Sequence, residues 1–103
     1  MLATAALLLP QAVDAQEGLK IYISADMEGV VGTVTGEQLG PSGFEYERAR
    51  RWMTEEVNAA IRGARAAGAT EIVVSDSHGH GQTLLLDELP EDRTVIRSWP
   101  RPL

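Results

Sequence analysis

No cysteine occurs anywhere in this 103-residue chain, which excludes a disulfide framework and any thiolate metal site. A bound metal would have to be held by oxygen and imidazole. No stretch is apolar for long enough to span a bilayer. Cations are scarce: nine Lys and Arg stand against fifteen Asp and Glu, a formal net charge of −6. The arginines are scattered along one predicted helix and near the C-terminus, so there is no electrostatic footprint for a phosphate backbone and nucleic acid is not an expected partner. What is left is the composition of an ordinary soluble globular protein, 44% hydrophobic and 23% charged, too apolar for a disordered chain. The length allows one domain at most and is short for an enzyme that needs a cleft between layers.

Residues 1–15 are read as an export signal: Leu2 to Leu9 form an apolar run, Pro10 breaks it, and Val13-Asp14-Ala15 places small residues where a signal peptidase reads. That predicts a periplasmic or secreted product; without such processing the chain would be cytoplasmic. The competing reading is a plain N-terminal extension, since no Lys or Arg precedes the run.

Residues 19–103 are read as part of one α/β domain. Leu19 to Ala25 alternates apolar with polar or small residues and runs into Asp26-Met27-Glu28-Gly29, the pattern of a strand entering a turn. Glycines and a proline then punctuate about fifteen residues, predicting a long surface loop near the strand end. Ser42 and Glu45 have capping-box spacing, so a helix is expected to start there. Its buried stripe is read as Trp52, Met53, Val57, Ala60, Ile61 and Ala64, with Glu47, Arg51 and Glu55 paired outside and Gly68 as the left-handed cap. A second strand, Glu71 to Ser75, is continuously apolar at Ile72-Val73-Val74, as in a parallel sheet, and ends in Asp76-Ser77-His78-Gly79-His80. Gln82 to Leu89 is ambiguous between a short helix and an extended piece, and Thr94 to Ser98 is predicted as a third strand.

A strand, a long helix and a strand make a βαβ unit whose right-handed crossover leaves the strands parallel, so both C-terminal tips point the same way. Ligands bind outside those tips in open α/β sheets. Residues i and i+2 of an extended chain project to one side, so Asp26 and Glu28 can aim at one point while Met27 enters the core. Two like charges that close persist together when a cation lies between them, or when one takes up a proton. His78 adds a neutral nitrogen from the neighbouring tip, giving a mixed donor set that suits zinc or a similar transition metal better than magnesium. Asp76 is expected to orient His78 or fasten its loop, His80 is left between a supporting role and a solvated loop residue, and Ser77 is read as a turn residue. One rival is a magnesium-dependent phosphatase or phosphotransferase with a strand-end aspartate, which leaves His78 idle. Another is a non-catalytic fragment with a solvated acidic cluster.

From about Leu19 to Leu103 the chain resembles the zinc-dependent D-aminopeptidase family of the dipeptide-transport-operon type. The likeness is carried by Ser24-Ala25-Asp26-Met27-Glu28-Gly29, by Tyr46-Glu47-Arg48 with Met53-Thr54-Glu55-Glu56, by Ser75-Asp76-Ser77-His78, and by Val95 to Leu103. The resemblance implies a two-zinc metallopeptidase, a hydrolase that removes N-terminal D-amino acids from short peptides and assembles as a homo-oligomer. The family's metal ligands carry over onto Asp26, Glu28 and His78; its other ligands and the histidine proposed for catalysis are expected beyond Leu103, so no catalytic residue is assigned here. The expected architecture is a partial three-layer sandwich with a mostly parallel sheet, an incomplete domain with one sheet face left without helices.

Overall fold

A computed structural model describes residues 1–7 and 18–101. Residues 1–7 are exposed and carry no helix or strand; the rest of the predicted export signal, and the ends of the 19–103 reading at Pro102 and Leu103, lie outside the described residues. No helix among the described residues is long and apolar enough to cross a membrane.

Three strands form one parallel sheet: β1 (Lys20–Ala25), β2 (Glu71–Asp76) and β3 (Thr94–Ile96), in that spatial order. Ile21 lies opposite Ile72 and Ala25 opposite Asp76, while Val73 lies opposite Thr94. The alternation in β1 does what its pattern predicts. Ile21, Ile23 and Ala25 join the core, and Lys20, Tyr22 and Ser24 are exposed on the opposite face. Among the described residues that second face has no helix over it, so two of the three expected layers are present.

The one long helix among the described residues, α1 (Tyr46–Ala66), connects β1 to β2 and buries Tyr46, Ala49, Met53, Val57 and Ile61 against the sheet. These positions recur every three or four residues, one stripe of a 3.6-residue helix. Each buried large apolar side chain contributes about 1.5–3 kcal/mol. Three predicted members differ: Ala60 is exposed, and Trp52 and Ala64 are only partly buried against the core, with the Arg48 guanidinium 5.1 Å from the Trp52 ring centre.

The helix begins later than its capping-box spacing predicts. Ser42 makes no cap bond, because Pro41 to Glu45 is consumed in turns: the Gly43 amide donates to Gly40 and the Glu45 amide to Glu37. Gly43 sits so close to the Glu37 carbonyl that an added Cβ would collide with it. The Glu45 carboxylate instead accepts from Gln38 and Arg48. The outside pairing also shifts by one residue, with Glu47 bound to Arg50 rather than Arg51, the i, i+3 alternative on the same helix face. At the other end Gly68 takes the left-handed conformation (φ +98°), and the amides of Gly68 and Ala69 close onto the carbonyls of Arg65 and Ala64, a Schellman end.

Residues 82–89 are neither strand nor regular helix beyond one 3-10 turn at Leu86–Glu88. Side chains of α1 hold them instead. Arg50 donates to the Thr83 carbonyl, the buried Thr54 hydroxyl accepts from the Leu85 amide, and Asn58 donates to the Glu88 carbonyl. Three polar positions on one helix face thereby fix the segment that follows the β2 tip.

Candidate metal centre

The parallel ladder carries both strand tips to the same end of the sheet. The Ser77 amide donates to the Ala25 carbonyl at 2.8 Å, extending the pairing one step past the strands. Just beyond it, Met27 is fully buried while Asp26 and Glu28 on either side of it are exposed, so the two carboxylates share one side.

His78 meets them there. Its Nδ1 lies 3.0 Å from Asp26 Oδ1 and 3.0 Å from Glu28 Oε2. Its Nε2 is 2.6 Å from the Leu39 carbonyl, an acceptor only, so that nitrogen carries a proton and donates it. One ligand atom from each of the three residues falls within 4.8 Å of the others. Burial opposes charge on His78, but the Leu39 carbonyl and the two carboxylates outweigh it and hold the imidazole pKa above its ordinary value. Burial likewise pushes the Asp26 carboxyl up, yet the Met27 amide, Glu28 and His78 outweigh that and hold it below the ordinary aspartate range.

The geometry fits a small divalent ion. With Nε2–H committed to Leu39, the nitrogen that faces the carboxylates is Nδ1, and a metal takes the place of its proton. Donors about 2.0–2.2 Å from a tetrahedral zinc lie about 3.3 Å from one another, close to the 3.0 Å spacings found. A carbonyl that fixes the far nitrogen is the usual way a ligating imidazole is oriented. The phosphoryl-transfer rival gives His78 no role, whereas here the imidazole touches both acids.

The neighbours divide differently. Asp76 is buried and makes no hydrogen bond to the His78 ring; its Oδ2 accepts from the amides of Thr83 and Leu84 at 2.5 and 2.7 Å, fastening the loop. His80 stands apart from the cluster: its Nδ1 accepts from the Gln82 amide and its Nε2–H donates to the Tyr46 hydroxyl at 3.2 Å. Ser77 bonds through its hydroxyl to Ser24 and Ser75 on the uncovered face. Leu39 and Gln38 have no counterpart in the sequence reading. A backbone carbonyl leaves no trace in residue type, whereas Thr35 and Gln38 have capping-box spacing, the signal that could have marked Gln38 as an ordered side chain within the glycine-rich loop.

A family model described as D-aminopeptidase matches residues 19–103. The chain belongs to the D-aminopeptidase family. A curated D-aminopeptidase from Bacillus subtilis is 36% identical over 84 residues, which is 82% of this chain and 31% of that protein. A solved structure, the Zn-dependent D-aminopeptidase DppA from Bacillus subtilis, described as a self-compartmentalizing protease, superposes with a TM-score of 0.75 at 36% identity. It covers 78% of this chain and 29% of its own. The chain thus spans under a third of the length of these D-aminopeptidases, and the part it spans includes the three clustered side chains.

Proposed function

We propose that this chain supplies the first metal-binding segment of a zinc-dependent aminopeptidase that releases N-terminal D-amino acids from short peptides. The observation that carries this is the equal 3.0 Å approach of His78 Nδ1 to Asp26 and Glu28, with its other nitrogen held by Leu39. Membership of the D-aminopeptidase family and the likeness to a Zn-dependent relative support the choice of metal and reaction.

In this reading Asp26, Glu28 and His78 would hold zinc, with Asp26 the candidate to contribute to a second ion as well. Zinc held there would supply Lewis acidity toward a peptide carbonyl. The chain's own residues contribute position and charge. Buried Met27 anchors the turn between the carboxylates, Leu39 keeps the proton on Nε2 so that Nδ1 faces the acids, and Asp26 and Glu28 bring two negative charges to the site. The remaining ligands and the catalytic group are proposed to come from sequence matching the part of the relatives that this chain does not cover. Assembly into a homo-oligomer, two zinc ions per subunit and export through residues 1–15 belong to the same proposal; the self-compartmentalizing relative supports the first.

The test is zinc binding by this chain against a chelating indicator. Wild type should bind zinc in preference to magnesium, and Asp26→Ala, Glu28→Ala and His78→Ala should each weaken binding severely. Equal affinity in all four proteins would sink the ligand assignment.

A further inference from the structure

After β3 the chain turns back on itself. Ser98 is a non-glycine residue in the left-handed region (φ 63°), a conformation that residues other than glycine keep only where their surroundings enforce it. What surrounds it is the loop that carries His78. The Ser98 amide donates to the Gly81 carbonyl at 2.7 Å, and the Trp99 indole Nε1–H donates to the Gly79 carbonyl at 3.2 Å. An Arg101 guanidinium N–H reaches the Asp76 carbonyl, and the same guanidinium lies 4.4 Å from the centre of the Trp99 ring.

We infer that Ser98–Arg101 is a clasp that positions His78, with Trp99 and Arg101 as its side-chain contacts. Three donors from four successive residues take three carbonyls of the 76–81 segment, one before His78 and two after it. The loop's own bonds engage other groups: the Gly81 amide donates to the His78 carbonyl at 2.8 Å, the Gln82 amide to His80 Nδ1, and the Thr83 and Leu84 amides to the Asp76 carboxylate, so the Gly79 and Gly81 carbonyls are held by the clasp. Without the clasp, the Gly79 and Gly81 carbonyls lose the partners named here, and the two glycines that follow His78, both at positive φ, are freer to move. The fit is close from the loop side as well: a Cβ at Gly81 would stand 2.9 Å from the Ser98 amide nitrogen and 2.8 Å from the Arg101 guanidinium. Neither Trp99 nor Arg101 touches Asp26 or Glu28 in the contacts found, so both act through the backbone that bears His78. Groups bonded directly to a metal-ligating side chain typically change metal affinity by about 10–100-fold, and Trp99 and Arg101, which act one step further out through the backbone, belong at the low end of that range. The inference rests on His78 being a ligand only for its metal readout.

Trp99→Phe deletes the indole donor while keeping a ring for Arg101, and Arg101→Gln removes the cation; Arg101→Lys restores a donor and a charge. Two measurements on the same chain decide. In metal-free protein, hydrogen exchange of the Gly81 and Ser98 amides should quicken at least tenfold in Trp99→Phe and Arg101→Gln, while amides in the middle of α1 keep their wild-type rates. Zinc affinity should fall about tenfold in both variants, with recovery in Arg101→Lys. Unchanged exchange at Gly81 and Ser98 overturns the clasp, and so does quickening spread equally over α1, which marks general destabilisation. A wild-type chain that binds no zinc counts against the metal assignment instead, and the exchange result still decides the clasp.

Discussion

The imidazole of His78 is aimed by the backbone of Leu39, whose carbonyl accepts its Nε2–H at 2.6 Å. That carbonyl sits in a glycine-rich loop whose shape depends on the neighbouring Gln38. The buried Gln38 amide accepts from the Val34 and Thr35 amides and donates to the Gly32 carbonyl and the Glu45 carboxylate. Gln38→Ala leaves these groups without their partner and should destabilise the chain by about 1–3 kcal/mol. Urea denaturation followed by circular dichroism measures this; a midpoint equal to wild type would contradict the role given to Gln38.

Asp26→Asn separates charge from shape at the cluster. The asparagine side chain keeps an oxygen for the Met27 amide, which Asp26 accepts at 2.8 Å, but removes one of two negative charges facing His78. The fold should persist, with an unchanged helical signal, while zinc affinity drops by at least tenfold. Calorimetric titration reads both the affinity and the stoichiometry.

The pH dependence follows from the directions of two shifts. His78 is held above its ordinary value of 6.5, so in metal-free protein its stabilising contribution is complete below 6.5 and is lost as pH rises through the folded value. Asp26 is held below 3.8, so its contribution is present above 3.8 and is lost as pH falls through its lower folded value. Metal-free chain should therefore be most stable in mildly acidic solution. Zinc reverses the alkaline side, because the metal displaces the Nδ1 proton: affinity should climb as pH rises toward and past the His78 value, with proton release on binding. Thermal melts across pH with and without zinc check both slopes.

Much of this was legible from residue patterns, and the parts that were not share a cause. Period two in β1, the apolar run of β2 and the parallel crossover place Asp26, Glu28 and His78 at one end of the sheet, because topology alone decides which tips are neighbours. The start of α1 departs from its sequence pattern: Ser42 and Glu45 satisfy a local spacing rule, but tertiary packing of Gly43 on the Glu37 carbonyl overrides it. The segment after β2 resisted assignment because Arg50, Thr54 and Asn58, thirty or so positions away, fix its backbone. Leu39 could not be found at all: its contribution is a carbonyl, common to every residue.

Asp76 provides a further check on the loop. Its buried carboxylate takes two backbone amides, charge-assisted bonds worth about 1.5–3 kcal/mol each. Asp76→Ala should cost about 3 kcal/mol, and Asp76→Asn, which keeps one acceptor oxygen, should recover part of it. Differential scanning calorimetry distinguishes these outcomes; equal melting temperatures in all three proteins would remove Asp76 from the loop's support.

Asp26 and His78 touch although 52 positions of chain separate them, and the whole of α1 lies in between. An ion gripping both would act as a removable staple around that helix, restricting the unfolded chain much as a covalent bridge does in a protein with cysteines. A chain lacking sulfur cross-links would thus carry one that chelators can undo, and its folding would answer to the supply of metal.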